Sequence, residues 1–268
     1  ATRDGSYWNL VMPYAFSSGF WPYDSPTMDG VSKFIHQHGG TFLGMIRFNY
    51  YPVDIGTYRP GGLPGYSTPG VDNVYMSGYI RFLADRDEAE RLILSFYGSL
   101  AHGMTRGTFI SGEGDTLGAH PDYNCRSSYG SYCSVNNTSK LLALRQMLVR
   151  ESFDSETGLP TGLYIAHATS RQWLEAGKAI RIKDAPTAFG PVSCRIISHL
   201  ADGYVAVRVV PPPRRVPSPL RIRVRLPHPF KLASIEGTAE GVVLLPDGET
   251  IELRQCTAEF EFRVNVDR

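Results

Sequence analysis

Asp85-Arg86-Asp87-Glu88-Ala89-Glu90-Arg91-Leu92-Ile93-Leu94-Ser95-Phe96-Tyr97-Gly98-Ser99-Leu100-Ala101-His102 is the stretch from which the fold is read. Asp85 is suited to cap a helix, because its carboxylate accepts free N–H groups of the first turn, and Glu88 sits three residues on, where a capping box places it. Leu92, Ile93, Phe96, Tyr97 and Leu100 recur at helical spacing and predict one broad apolar stripe. The period stops at His102 and Gly103. Met104 to Asp115 follows, a glycine-rich polar loop with one arginine and two carboxylates. Loops held by rigid elements are where chemistry is usually placed.

Working outward, Asp72 to Ala84 predicts the preceding helix, joined to this one by a very short turn as an αα-hairpin. Tyr50 to Gly70 holds five glycines and four prolines and reads as a long irregular excursion. Thr41 to Asn49 is apolar and suits helix or strand. Pro26 fits the first turn of a helix that carries Val31, Phe34 and Ile35 and ends at Gly39-Gly40. Residues 4–18 predict another helix. Beyond the polar loop, Ser139 to Glu151 is read as helical, with Leu141, Leu144 and Leu148 on one face.

The period then changes from 3.6 to two. Val192, Cys194 and Ile196 alternate, as do Val205, Val207 and Val209. Leu220, Ile222, Val224 and Leu226 alternate with Arg221, Arg223 and Arg225. Pro246-Asp247-Gly248 between two apolar runs is a hairpin signal. Helices first and strands afterwards predict two domains rather than a wound α/β sheet. The expected division is a helical part at 1–152, a linker at 153–159 and an antiparallel β-sandwich at 160–268.

Composition narrows the function. The net charge of +1 gives no global attraction to nucleic acid or an anionic membrane, and no apolar run approaches the roughly 20 residues of a membrane span. No phosphate-binding glycine loop, nucleophile elbow or metal-ligand spacing occurs, so no cofactor is implied. The four cysteines allow a bridge between Cys125 and Cys133 or buried free thiols. Asn136 and Asn137 each begin an N-x-[ST] triplet.

Trp173 to Ile180 and Asp184 to Ser193 resemble the β-sandwich that follows the catalytic toroid of bacterial six-hairpin glycosidases. Ser95 to Arg106 and Gly112-Glu113-Gly114 are similar to that family's helical part, and Leu144 to Glu151 to its last toroid helix. The resemblance implies a partial (α/α) toroid of helical hairpins followed by the sandwich, acting on carbohydrate outside the cytoplasm, secreted or periplasmic. A full toroid needs about twelve helices and this chain supplies about half. That leaves a missing N-terminal half, a partner chain or self-association through the helical face as what completes it.

Glycoside hydrolysis ordinarily uses two carboxyl groups. Glu113, between glycines, and Asp24, behind Trp21-Pro22-Tyr23, are the expected pair. Trp21, Tyr23, Tyr75, His102, Arg106 and Asp115 are the expected substrate contacts, with Arg106 and His102 suited to a uronate carboxylate. The alternatives are structural: Asp24 as a helix cap, Glu113 as an acceptor of loop N–H bonds, His102 and Arg106 as cations at a helix C-terminus. A polysaccharide lyase using Tyr97, His102 and Arg106 is the second activity, and a non-catalytic carbohydrate-binding or self-assembling protein the third. The Arg221/Arg223/Arg225 row predicts a solvated strand face paired with acids such as Glu259 and Glu261.

Overall fold

A computed structural model describes residues 15–16, 18–37, 40–48, 70–72, 74, 76–116, 128–129, 132–236, 241–254 and 256–268. The helix expected over 4–18, most of the 50–70 excursion, Tyr75 and Cys125 fall largely or wholly outside these residues. The chain divides into two compact units, Ala1–Leu144 and Arg145–Arg268.

The first unit corrects the expected fold class. It is no array of helical hairpins, because strands alternate with its helices. In chain order the elements are α1 (Pro26–Gln37), β1 (Thr41–Phe42), β2 (Met45–Phe48), β3 (Gly70–Asp72), α2 (Met76–Asp85), α3 (Ala89–His102), β4 (Gly114–Thr116), β5 (Ser128–Tyr129) and α4 (Ser134–Leu148), the last running on past residue 144. The five strands pair antiparallel in the order β1-β2-β3-β4-β5. Each is two to four residues long. Strands that short show no readable alternation, so the sequence offers only apolar scraps and glycines where the sheet lies.

Local chemistry explains the helix ends. Ser25, not Asp24, caps α1: its hydroxyl accepts the Met28 N–H at 3.3 Å, and Pro26 takes the first helical position. Asp85 ends α2 instead of capping α3, and Glu88 occupies the cap position without a side-chain cap bond. The Glu88 carboxylate is taken by Arg86 at 3.0 Å and by Arg91. Arg86 also pairs with Asp29 at 2.5 Å and donates to the Tyr23 carbonyl at 2.8 Å, which ties the 20–25 loop to the turn between α2 and α3.

Helix α3 faces inward with its small residues. Leu92, Ser95, Gly98, Ser99 and His102 are buried, while Leu94, Tyr97 and Leu100 are exposed. The partner is the turn of the β1–β2 hairpin. Leu43 (φ 51°) and Gly44 (φ 74°) form a two-residue turn of the primed kind that suits strand twist. Its backbone lies so close to the helix that a Cβ on Gly98 would come within 1.8 Å of the Leu43 carbonyl oxygen. Ser95 Oγ donates to the Gly44 carbonyl at 2.6 Å across the same junction.

Helix α4 begins at Ser134 and stops at Leu148; Val149–Glu151, expected as its last turn, start a strand instead. Its inward face is Asn136, Ser139, Lys140, Ala143 and Met147, and Leu141, expected on the apolar face, is 68% exposed.

The second unit holds β6 (Val149–Phe153), β7 (Pro160–Ile165), β8 (Ala179–Ala185), β9 (Val192–His199), β10 (Tyr204–Val210), β11 (Leu220–Arg223), β12 (Lys231–Glu236), β13 (Val242–Leu244), β14 (Thr250–Leu253) and β15 (Phe260–Asp267). They form two five-stranded sheets, β12-β15-β10-β9-β8 and β13-β14-β11-β7-β6. Alternate residues such as Ile196, Val207 and Val264 from one, and Leu163, Ile222 and Ile251 from the other, enter a shared core. The sheets are not wholly antiparallel, since β11 runs parallel to β7. Two-residue alternation dictates which side chains go inward but not which strands become neighbours. The expected toroid followed by an antiparallel sandwich is therefore replaced by a mixed unit and a two-sheet unit. Residues 154–159, within the stretch 153–159 expected as a linker, lie between β6 and β7, with the Asp154 N–H donating to the Leu159 carbonyl at 2.8 Å.

The arginine row is likewise less solvated than expected. Arg221 pairs with Glu252 at 3.0 Å. Arg223 and the nearly buried Arg225 lie 3.5 and 3.9 Å from Glu249. Glu259 pairs instead with Arg208.

Candidate functional site

The strongest convergence of chemistry in the first unit is where the approach to β4 meets the start of α4. Cys133 donates its backbone N–H to the Ser111 carbonyl at 3.0 Å. Ser111 Oγ is bonded to Asn137 Oδ1 at 2.7 Å and lies 3.3 Å from the Cys133 carbonyl. These bonds lace Ser111, just before β4, to the first turn of the helix. Asp115 sits on β4, an interior strand of the sheet, and is only 9% exposed. Glu113, two residues before it, is half-buried. A Cβ on Gly114 would meet the Val71 carbonyl oxygen at 3.1 Å, so that glycine serves the β3–β4 packing.

Within electrostatic reach of Asp115 stands an unusual helix face. Asn136 is fully buried and Lys140 is 6% exposed, one turn apart on α4. Neither the Asn136 carboxamide atoms nor Lys140 Nζ has a hydrogen-bond partner among the described residues. Burial pushes the Lys140 amine down to about 8, against the charges of Asp115 and Cys133, which act to raise it. Cys133 is a free, half-buried thiol, and its expected bridge partner Cys125 lies outside the described residues.

The remaining expected residues are scattered. Trp21, Tyr23 and Asp24 share the exposed loop before α1, where Phe20 and Trp21 meet edge to face with centroids 4.7 Å apart. Phe20, Trp21 and Tyr23 are 76%, 41% and 45% exposed, a concentration of wet aromatic surface. His102 is buried, its ring edge-on to Phe42 at 6.2 Å. Arg106 is exposed on a tight turn closed by the Thr105 N–H to the Ile110 carbonyl at 2.8 Å. Tyr75 is outside the described residues. The structure thus places Glu113 and Asp115 on one segment and the Trp21-Tyr23-Asp24 group on another.

Lys140 and Asn136 were missed by the sequence reading. Their signal was the spacing 136, 140, 143, 147, which continues into Ala143 and Met147 and marks the inward face. Asn136, read only as the start of a glycosylation triplet, is inside the protein. Among the described residues no three His, Cys, Asp or Glu side chains group closely enough to hold a metal ion, and no helix is long and apolar enough to cross a membrane.

No family model and no curated protein matches the chain. Among solved structures it is similar to a GH127 β-arabinofuranosidase, with a TM-score of 0.41 and 12% identity over 95% of this chain. The match covers 42% of that enzyme, so this chain spans well under half its length.

Proposed function

We propose that this chain is carbohydrate-active and hydrolyses glycosidic bonds at the junction of β4 and α4. The observation that carries the reading is the pair of carboxyl groups in unlike surroundings. Asp115 is buried within electrostatic reach of Lys140, while Glu113 stands two residues away, half-buried. Glycoside hydrolysis needs that asymmetry: one carboxyl group exchanges a proton with the leaving oxygen or with water, and the other stays ionised to stabilise positive charge at the anomeric carbon. Glu113, reachable from solvent, takes the proton-transfer role. Asp115, buried within electrostatic reach of Lys140, takes the charge-stabilising role.

The test is reducing-end release from a panel of plant and bacterial polysaccharides and aryl glycosides. General acid–base groups contribute about 10²–10⁴-fold. Glu113→Gln and Asp115→Asn are therefore each expected to lower turnover at least a hundredfold on any glycoside the native protein cleaves. Full activity in both would remove the pair from the reaction. Products that absorb in the ultraviolet would show elimination, and binding without cleavage would make the protein a carbohydrate-binding one.

A further inference from the structure

The inward face of α4 raises a separate question. Helix faces turned into a protein are normally apolar, and the later part of this face is: Ala143 and Met147 are both 1% exposed or less. Its first half instead carries Asn136 and Lys140, with an amine and a carboxamide that hydrogen-bond to nothing among the described residues. A buried polar group without a partner costs the fold stability, whereas an apolar residue of the same shape costs almost nothing. Leucine and methionine at these positions would continue the stripe. The polar pair is a burden to the fold that a ligand would lift.

The chemistry of the pair narrows the ligand. Lys140 offers up to three donors, Asn136 two donors and an acceptor, and Asp115 acceptors only. The ammonium and the Asp115 carboxylate offset each other, and Glu113 nearby adds no positive charge, so the place does not favour an anion. A hydroxyl both donates and accepts. Two neighbouring hydroxyls are matched by a lysine or carboxamide N–H on one side and a carboxylate or carboxamide oxygen on the other. We propose that Asn136, Lys140 and Asp115 form a subsite that binds a vicinal diol of a neutral sugar ring. This rests on the glycosidase reading and adds to it the part of the substrate that is gripped. It also turns preference away from the uronates that Arg106 and His102 suggested, since those two residues lie on the exit of α3 and not on this face.

One feature supports access. Cys133 and Glu113, both half-buried, flank the buried groups on the same laced segments. The lowered Lys140 pKa keeps a substantial neutral fraction at pH 8, which gives a chemical reporter on the amine itself.

The experiment uses the full chain and has two arms. In the first, native protein, Asn136→Leu and Lys140→Met are titrated with methyl glycosides of neutral pentoses and hexoses and with the matching monodeoxy glycosides, and each protein is checked by thermal melting. For a glycoside the native protein binds, each variant is expected to bind at least tenfold more weakly while melting no lower than the native protein. The deoxy sugar is expected to lose as much on the native protein and little on the variants. In the second arm, which needs no variant, trinitrobenzenesulfonate labelling of Lys140 at pH 8 is followed by peptide mass spectrometry. Bound glycoside is expected to slow that labelling at least fivefold. A glycoside cleaved by the native protein with unchanged affinity in both variants and unprotected Lys140 would overturn the subsite and leave the glycosidase reading standing. Absence of binding or cleavage across the whole panel, with Lys140 unprotected, would overturn both.

Discussion

Gly98→Ala puts the packing of α3 against the β1–β2 turn to the test. Alanine is the better helix former by about 1 kcal/mol, so an unobstructed helical glycine should gain stability on substitution. Gly98 is obstructed: the new methyl would sit 1.8 Å from the Leu43 carbonyl oxygen and 2.9 Å from its carbon, where ordinary contact begins near 3.4 Å. The obstacle is backbone, held in a primed turn by Gly44, which is itself packed against Ser95 with a hypothetical Cβ only 2.5 Å from the Ser95 N. Relief requires the helix and the turn to part by more than an ångström. That breaks the buried Ser95–Gly44 hydrogen bond, worth about 1 kcal/mol, and adds an overpacking cost of about 1–3 kcal/mol. Set against the gain in propensity, the net loss is about 1–3 kcal/mol, or roughly 2–12 °C in Tm for a protein of this size. Gly30→Ala in α1 is the control, with no atom within 4 Å of the added methyl, and it should gain up to about 1 kcal/mol. Urea and thermal melts of both variants decide the matter. If Gly98→Ala were as stable as Gly30→Ala, the backbone contact between helix and turn would not exist as described.

Other perturbations follow the same logic. Lys140 is disfavoured as an ammonium in the folded protein, so stability should rise with pH between about 8 and the unfolded value of 10.5, and Lys140→Met should abolish that rise in melts taken across the window. His36 is held below its ordinary value by burial and by Arg91, and its Nε2 lies 2.7 Å from Tyr79 Oη. Its contribution is present above pH 6.5 and is lost as pH falls through the lowered value, so the melting temperature should drop between pH 7.5 and pH 5, and less so in His36→Gln. Glu249→Gln strips the carboxylate from Arg171, Arg223 and the 3%-exposed Arg225 and should cost about 3 kcal/mol in denaturant melts, whereas Glu259→Gln at the exposed Arg208 pair should cost under about 1 kcal/mol.

The strands of the second unit were legible because period-two alternation over four to eight residues is a strong signal, as Val205, Val207 and Val209 show. Their pairing was not, because nothing local to Leu220–Arg223 announces a parallel neighbour in Pro160–Ile165. In the first unit Pro26 announced α1 correctly, while the sheet of two- to four-residue strands was invisible. Helix α3 was found and Leu92 of its expected stripe is buried, but hydropathy also points Tyr97 and Leu100 inward, and backbone proximity to Leu43 and Gly44 selects Ser95 and Gly98 instead. The candidate site failed in the same way. Glu113 and Asp115 were noticed through their glycines, but Lys140 and Asn136 look like surface residues until the helix phase is fixed by Ala143 and Met147.

The small-residue contact face of α3 has a consequence for how substitutions are tolerated. In a saturation survey of residues 89–102 scored by folded abundance, the positions that hydropathy marks as most expendable, Ser95, Gly98 and Ser99, should accept almost nothing larger. Leu94, Tyr97 and Leu100 should accept lysine, glutamate or glutamine with little loss. A solubility-minded engineer following the usual rule would protect the three large residues and mutate the small ones, and would lose the protein by doing so.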